Sequence, residues 1–129
     1  MEIEVAVPEK LRLENIDGIK VASFIEESLE KADRIKLLEE EFAELARDQE
    51  NVCLILDFAN VSYISSAVLG KLVMLRNWII AGNGKLKLTS LKRDILDIFK
   101  ITRLDRFFQI YPDKRAALDV MQSDMITSD

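Results

Sequence analysis

The segment Val52-Cys53-Leu54-Ile55-Leu56 constrains the fold more than any other part of the sequence. Its residues are all apolar, without the alternation of a strand that faces water on one side, and the run ends at the carboxylate of Asp57. Continuous apolar runs of this length are typical of strands that helices cover on both faces. The segment therefore predicts a central strand of an α/β sheet.

The first part of the chain predicts a hairpin and a helix. Asp17-Gly18 separates two apolar-rich segments, residues 11–15 and 19–24, and an Asp-Gly pair in this position is typical of a tight antiparallel turn. Apolar residues then recur at helical spacing over residues 32–47, among many glutamates. This spacing predicts an amphipathic helix. Residues 1–10 are predicted to form an additional edge strand or an arm.

Strand and helix patterns continue to alternate after the central strand. The first helix is predicted to begin with Ser65 or Ser66 as its N-cap and to end at Gly82, a left-handed C-terminal cap. A strand over residues 85–88 follows, and then a helix with Ser90 as its N-cap. A strand over residues 107–111 comes next, and Pro112-Asp113 begins the final helix. Residues 123–129 are predicted to be a tail. The order β-β-α-β-α-β-α-β-α predicts one α/β domain over residues 1–129, with a mixed sheet of about five strands flanked by four helices.

Composition excludes several classes of function. The chain contains no histidine, which removes Ser-His-Asp and Cys-His catalytic systems and the commonest zinc sites. A net charge of −5 argues against nucleic acid as a ligand, because binding to phosphates requires a basic surface. Aspartates directly follow the basic cluster Lys85, Lys87, Lys92 and Arg93, which is therefore predicted to be a solvated edge. No cofactor and no metal are expected.

Other features predict a cytoplasmic protein that does not bind membranes. No apolar run approaches the roughly 20 residues of a membrane-spanning helix, and the acidic N-terminus does not resemble a secretory signal. The single cysteine, Cys53, cannot form an internal disulfide and lies within the predicted central strand.

Residues 56–70 resemble the signature of STAS domains, the family of anti-sigma factor antagonists. Their sequence, LDFANVSYISSAVLG, is similar to a strand ending in LDFSNV that is followed by YIDSSGLG at the start of a helix. The resemblance continues in residues 82–86, which correspond to the family's GG-L strand entry. It also includes residues 98–108, which correspond to the pattern F-x-x-T-G-L-D-x-x-F. It covers the chain from about residue 11 to residue 121.

The resemblance implies the STAS fold and a non-enzymatic regulatory protein that works by binding a partner. Such domains bind an anti-sigma factor, a serine kinase of the histidine-kinase-like ATPase type, and so release a sigma factor. They release the anti-sigma factor when a serine at the start of the helix is phosphorylated. A phosphate adds about −1.5 to −2 charges at neutral pH. A helix N-terminus tolerates this charge, but a partner surface packed over it without cations does not.

The serine that carries the phosphate in this family is replaced in the present chain. Aligning Tyr63-Ile64 and Leu69-Gly70 with the signature places Ser65 at the family's aspartate and Ser66 at its first serine, so that the usual acceptor falls on Ala67. Ser66 is therefore the first candidate for phosphorylation and Ser65 the second, with capping of the helix as the alternative role of both. Without phosphorylation, the chain would be a constitutive binder or a scaffold subunit of a signalling complex, with self-association as a further interaction.

The helix that follows these serines has two different sides. At 100° per residue, the residues predicted to pack on the sheet are Val68, Leu69, Leu72, Leu75 and Ile79. The opposite side combines small residues with Met74 and Trp78, which are suited to interface anchors. Either the helix is buried all round, or this side docks a partner. The predicted partner-binding residues are Asp57, Ser65, Ser66, Ala67, Gly70, Lys71, Met74 and Trp78.

Asp57 has two candidate roles, and it also suggests a rival fold. Its carboxylate is predicted to accept a hydrogen bond from the following turn or from a helix cap, while the resemblance implies contact with the partner. A response-regulator receiver would use Asp57 as phosphoacceptor, but the acidic pair expected after the first strand and the lysine expected after the last are absent. An enzyme would need a lysine base for Ser66, and Lys71 lies on another face of the helix.

Overall fold

A five-stranded mixed sheet lies at the centre of the computed structural model, which describes residues 11–127. The elements are, in chain order, β1 (Arg12–Ile16), β2 (Ile19–Ser23), β3 (Ser28–Leu29), α1 (Ala32–Ala46), β4 (Cys53–Asp57), β5 (Tyr63–Ile64), α2 (Ser66–Ala81), β6 (Lys85–Thr89), α3 (Arg93–Ile101), a short 3₁₀ turn (Leu104–Arg106), β7 (Gln109–Tyr111) and α4 (Lys114–Thr127). The strand order is β1-β2-β4-β6-β7, with β1 antiparallel to β2 and the other pairs parallel. The predicted α/β fold is confirmed. The strand or arm predicted for residues 1–10 lies outside the described residues.

Helices cover both faces of the sheet at its central strand. Leu54 and Leu56 of β4 belong to a core that they share with α1, α2 and α3, whereas Ile55, between them, is buried with Ala117 and Met121 of α4. All of these strand side chains are fully buried. The prediction from the continuous apolar run is therefore confirmed.

The turn between β1 and β2 has the geometry that its sequence predicts. Asp17 and Gly18 have positive φ angles, 52° and 84°, as a type I′ turn requires. The side chain of Asn15 accepts a hydrogen bond of 3.1 Å from the Gly18 N–H. The predicted hairpin is confirmed, and β2 is in turn the parallel neighbour of β4.

The end of α2 differs from the prediction. Gly82 has a φ of −93° and is not left-handed; the left-handed residue is Asn83, with a φ of 60°. Glycine is required at position 82 because a Cβ there would lie 2.1 Å from the backbone oxygen of Gln49. The N–H of Asn51 donates a hydrogen bond of 2.7 Å to the Gly82 oxygen. Glycine is therefore needed at position 82 because two backbone segments approach each other closely, and not because a left-handed cap requires it.

Helix α3 begins later than predicted, and Ser90 does not cap it. Ser90 has a φ of 62°, and its backbone N–H donates a hydrogen bond of 3.3 Å to the Tyr111 oxygen of β7. The chain is therefore still bonded to the sheet at the position where the sequence predicts a cap. The residue at the N-cap is Lys92.

Two boundaries near the C-terminus also differ. Strand β7 begins at Gln109 instead of Phe107, because residues 104–106 form the 3₁₀ turn and Phe107 follows it. Helix α4 extends to Thr127, beyond Ser123, where the sequence predicts the start of a tail.

One residue of the predicted solvated edge is buried. Lys87 is only 1% exposed, because alternate residues of β6 face α4. Its amine donates hydrogen bonds to Gln109 Oε1 at 2.6 Å and to Asp124 Oδ2 at 3.1 Å. For Lys87 the prediction of a solvated position is wrong.

A buried ion cluster attaches α1 to two segments that precede it in the chain. Arg34 donates from Nη1 to Glu41 Oε1 at 2.6 Å, and its guanidinium also pairs with Glu26. The second oxygen of Glu41 accepts a hydrogen bond of 3.1 Å from the Leu11 N–H. Arg34 and Glu41 are both buried, so each charge depends on the other for compensation.

Candidate functional site

The loop between β4 and β5 is held by side chains that point inward. Phe58 and Val61 are fully buried, and the Val61 N–H donates a hydrogen bond of 2.9 Å to the Phe58 oxygen. Asn60 donates from Nδ2 to the Phe24 oxygen at 3.2 Å. The loop therefore places the start of α2 at a fixed position beside the end of β2.

Two very short strands that the sequence does not reveal complete this attachment. In the ladder between β3 and β5, the N–H groups of Ser62 and Tyr63 donate to the Glu27 oxygen at 2.7 and 3.2 Å. The N–H of Ser65 then donates to the Leu29 oxygen at 3.0 Å. Each strand has only two residues, too few for an alternating pattern to be recognised.

Ser65 and Ser66 differ in accessibility. Ser65 occupies the N-cap position of α2, but its side chain makes no capping hydrogen bond. Its Oγ is buried and has no hydrogen-bond partner among residues 11–127. Ser66, the first residue of the helix, is exposed. Of the two candidates for phosphorylation, Ser66 is therefore the one that a second protein can reach.

Helix α2 buries the side that its sequence predicts. The buried residues are Val68, Leu69, Leu72, Leu75 and Ile79. Ser66, Ala67 and Gly70 are exposed on the opposite side, and we refer to these three residues as the α2 strip. The explanation that α2 is buried all round is therefore wrong.

Three further predicted partner-binding residues are half-buried, namely Lys71, Met74 and Trp78. The amine of Lys71 forms an ion pair of 2.8 Å with Glu39 of α1. Trp78 packs against the core and borders a surface cleft that Ala43 of α1 also lines. These side chains contribute only part of their surface to the exposed side of α2.

Gly70 has no role in the packing of the described fold. A Cβ at this position would have no neighbouring atom within 4 Å. Glycine inside a helix lowers stability by roughly 0.5–1 kcal/mol relative to alanine, and here no close approach within the fold offsets that cost. Its effect is to leave the helix backbone accessible at the C-terminal end of the α2 strip.

Asp57 does not lie on this surface. Its side chain is buried, and its Oδ1 accepts a hydrogen bond of 3.1 Å from Thr89 Oγ1 of the neighbouring strand. The partner is therefore a residue of β6, not the following turn or a helix cap, and that prediction is wrong. Asp57 supports the strand end from which the loop and α2 start.

Tyr63 is a surface residue that sequence reasoning missed. It is 65% exposed and precedes the α2 strip by three residues, while the next residue, Ile64, is half-buried. Successive side chains of a strand point to opposite sides, so one of the two had to face outward. Nearby, the Lys92 amine donates a hydrogen bond of 2.9 Å to Ser62 Oγ. An aromatic side chain and a cation thus lie close to the strip.

The described part of the chain has no cluster of three or more His, Cys, Asp or Glu side chains placed to hold a metal ion. None of the helices found between residues 11 and 127 combines the length and the apolar character needed to span a bilayer.

Known proteins resemble the chain in sequence and in fold. The sequence profile of the STAS domain matches residues 12–117. An anti-sigma-factor antagonist (STAS) domain protein from Planctomyces limnophilus is similar with a TM-score of 0.79 and 19% identity, over 89% of this chain and 99% of the other. An anti-sigma factor antagonist from Mycobacterium paratuberculosis is similar with a TM-score of 0.76 and 20% identity, over 92% of this chain and 99% of the other. The murine anion transporter Slc26a9 is similar with a TM-score of 0.70 and 13% identity, over 85% of this chain and 18% of the transporter. At these identities the likeness concerns the fold.

Proposed function

This chain belongs to the STAS-domain family, and we propose that it acts as a cytoplasmic anti-sigma factor antagonist. In this role it binds an anti-sigma factor of the histidine-kinase-like ATPase type and so frees the sigma factor that this partner holds. A shared fold does not by itself determine a function. The proposal therefore depends on the surface at the start of α2, supported by the likeness to an anti-sigma factor antagonist.

The observation that carries the proposal is the exposed α2 strip, next to the exposed ring of Tyr63. The strip has no side chain larger than that of serine, so a partner can approach the helix backbone closely. Aromatic residues such as Tyr63 are enriched among the residues that dominate binding energy. Together they form an aromatic anchor beside a flat surface, which suits the binding of a protein rather than catalysis.

Affinity capture from the source cells, followed by mass spectrometry, tests the class of partner. We expect an anti-sigma factor with a histidine-kinase-like ATPase domain. Capture of copies of this chain or of other STAS proteins would instead favour a scaffold subunit of a signalling complex. The observation that favours this second candidate is Ala67, which stands where the resemblance places the phosphorylated serine.

Gly70→Leu is expected to weaken binding of the captured anti-sigma factor at least about tenfold, because the new side chain fills the space that the partner needs. The fold itself should tolerate the change, since the position faces open space. Isothermal titration calorimetry measures the affinity, and urea unfolding checks the stability.

The matched control is Ala81→Leu, at the exposed end of the same helix. This variant should bind as the wild type does. Equal affinity of the Gly70→Leu and Ala81→Leu variants would contradict docking at the α2 strip, even if an anti-sigma factor is captured.

We propose further that Ser66 is the phosphorylated residue, if the captured partner is a kinase. Its hydroxyl is exposed at the first position of α2, where the helix dipole and free N–H groups favour an anion. The phosphate would add about −1.5 to −2 charges within the docking surface. A partner packed there would have to desolvate that charge, which is costly.

Incubation with the captured kinase and ATP, followed by phosphopeptide mass spectrometry, should find phosphate on Ser66. The Ser66→Glu variant should bind at least about tenfold more weakly than the wild type, whereas Ser66→Ala should keep its affinity. Absence of phosphate from both Ser66 and Ser65 would refute the switch. If Gly70→Leu nevertheless weakens binding of the anti-sigma factor, the chain binds this partner independently of phosphorylation.

A further inference from the structure

A second exposed surface lies at the other end of α2, apart from the α2 strip. Ile80 is 48% exposed, and Phe107, after the 3₁₀ turn, is 55% exposed. With Leu86 and Phe108 they line a groove of about 220 Å³ beside β6 and β7, which we call the Ile80–Phe107 groove. Adjacent apolar side chains that remain this accessible often mark an interaction site.

Arg76 is held in a fixed orientation at this groove. Its Nε donates a hydrogen bond of 2.8 Å to the Phe107 oxygen, and its guanidinium carbon lies 5.4 Å from the centre of the Phe107 ring. Its two terminal nitrogens have no hydrogen-bond or ion-pair partner in the described part of the chain. A guanidinium fixed in this way can bind a carboxylate through two parallel hydrogen bonds at little further cost in side-chain entropy.

The surroundings of the groove are basic, although the chain carries a net charge of −5. The adjoining turn contributes Arg103 and Arg106, against the single carboxylate of Asp105. Both arginines are exposed and form no ion pair with any residue between 11 and 127. The acidic residue that lines the groove, Asp124, is 3.1 Å from the amine of Lys87. The local charge therefore attracts carboxylates.

We propose that the Ile80–Phe107 groove docks an acidic amphipathic segment of a second protein partner. A carboxylate of that segment binds the terminal nitrogens of Arg76, and an adjoining aliphatic or aromatic side chain packs between Ile80 and Phe107. Charge determines this choice of occupant. A basic or purely apolar partner would remove the Arg76 guanidinium from water without compensating its charge, which is unfavourable.

This surface lies on a different side of α2 from the α2 strip. The nearest residues of the two surfaces, Gly70 and Arg76, are six residues apart, which corresponds to about 9 Å along the helix axis and about 120° around it. The two surfaces therefore offer separate sites on one helix. The inference does not depend on the proposed function, since none of the residues of the α2 strip takes part in it.

Selection of peptides from a random library displayed on phage, with the purified chain as bait, tests the proposal. Enriched peptides should carry Asp or Glu beside Leu, Ile or Phe. They should bind Arg76→Met at least about tenfold more weakly than the wild type, because a charged, two-point hydrogen-bonded contact is lost. Phe107→Ser, at an exposed position, provides a second variant with the same expected loss. Thermal unfolding verifies that both variants are folded.

Two control variants should bind the selected peptides as the wild type does. Arg115→Met removes an exposed arginine on α4, and Gly70→Leu alters the α2 strip. Peptides without acidic residues, or equal affinity for Arg76→Met and Phe107→Ser, would overturn the proposal. Two other results would also overturn it. If the chain self-associates in sedimentation velocity and Arg76→Met abolishes this association, the occupant is a second copy. If the chain binds vesicles of anionic lipid and Arg76→Met abolishes this binding, the occupant is a membrane.

Discussion

Gly82→Ala is expected to lower the free energy of unfolding by about 3 kcal/mol or more. The added Cβ would lie 2.1 Å from the Gln49 oxygen and 3.3 Å from the Cα of Glu50. These are backbone atoms, which cannot rotate away as the end of a side chain could. Relief would require the end of α2 to separate from this segment, which breaks the 2.7 Å hydrogen bond between the Asn51 N–H and the Gly82 oxygen.

Urea unfolding followed by circular dichroism measures this effect. Gly70→Ala is the matched control, because it makes the same substitution in open space on the same helix. It should raise stability by about 0.5–1 kcal/mol. The φ of −93° at Gly82 is accessible to alanine, so steric conflict alone separates the two outcomes. A stability of Gly82→Ala equal to that of the wild type would contradict the described approach of the two segments.

Arg34→Met is expected to destabilise the fold by about 3–5 kcal/mol. The substitution leaves the carboxylate of Glu41 buried and without its cation, in the same cluster as Glu26. The lost packing is small, since methionine fills much of the space of the arginine stem. Chemical denaturation of the two proteins gives the difference directly.

A double variant, Arg34→Met with Glu41→Gln, separates the charge from the packing. Glutamine removes the uncompensated charge and retains an oxygen that can accept the hydrogen bond from the Leu11 N–H. At least half of the lost stability should return, because the main cost of the single variant is a buried unpaired ion. A double variant as unstable as Arg34→Met would show that packing or helix propensity, rather than charge, is responsible.

The sequence predicts the fold where the physical signal is local and repeated. The continuous run from Val52 to Leu56 is typical of a strand buried on both faces, and Asp17-Gly18 is suited to a turn that needs positive φ at both residues. The buried side of α2 likewise follows from 3.6-residue periodicity. These features depend on neighbours in the chain, and each of them is confirmed.

The remaining features depend on contacts between distant segments. Gly82 is glycine because of Gln49, and Lys87 is buried because Gln109 and Asp124 satisfy its amine. Neither relation leaves a pattern in the local sequence. The ladder of β3 and β5 is too short to have one.

The same distinction applies to the candidate site. Periodicity identifies the side of α2 that packs on the sheet, but it leaves open whether the opposite side is exposed. The relative exposure of Ser65 and Ser66 could not be predicted either, because it depends on the bond from Ser65 to Leu29 in a segment before α1. The burial of Asp57 depends on Thr89 of the adjacent strand. The groove beside Phe107 exists because a 3₁₀ turn precedes β7, which begins two residues later than predicted. That turn has no recognisable pattern in the local sequence.

The position of α4 has a consequence for synthesis of the protein on the ribosome. Ile55 is buried with Ala117 and Met121, and Gln122 donates a hydrogen bond to Asp17 across a separation of 105 residues. At about 5–20 residues per second, several seconds pass between the emergence of the hairpin and that of this helix. During that interval the face of the sheet that α4 covers remains exposed to solvent. The nascent chain can therefore bind chaperones or aggregate until α4 has been synthesised.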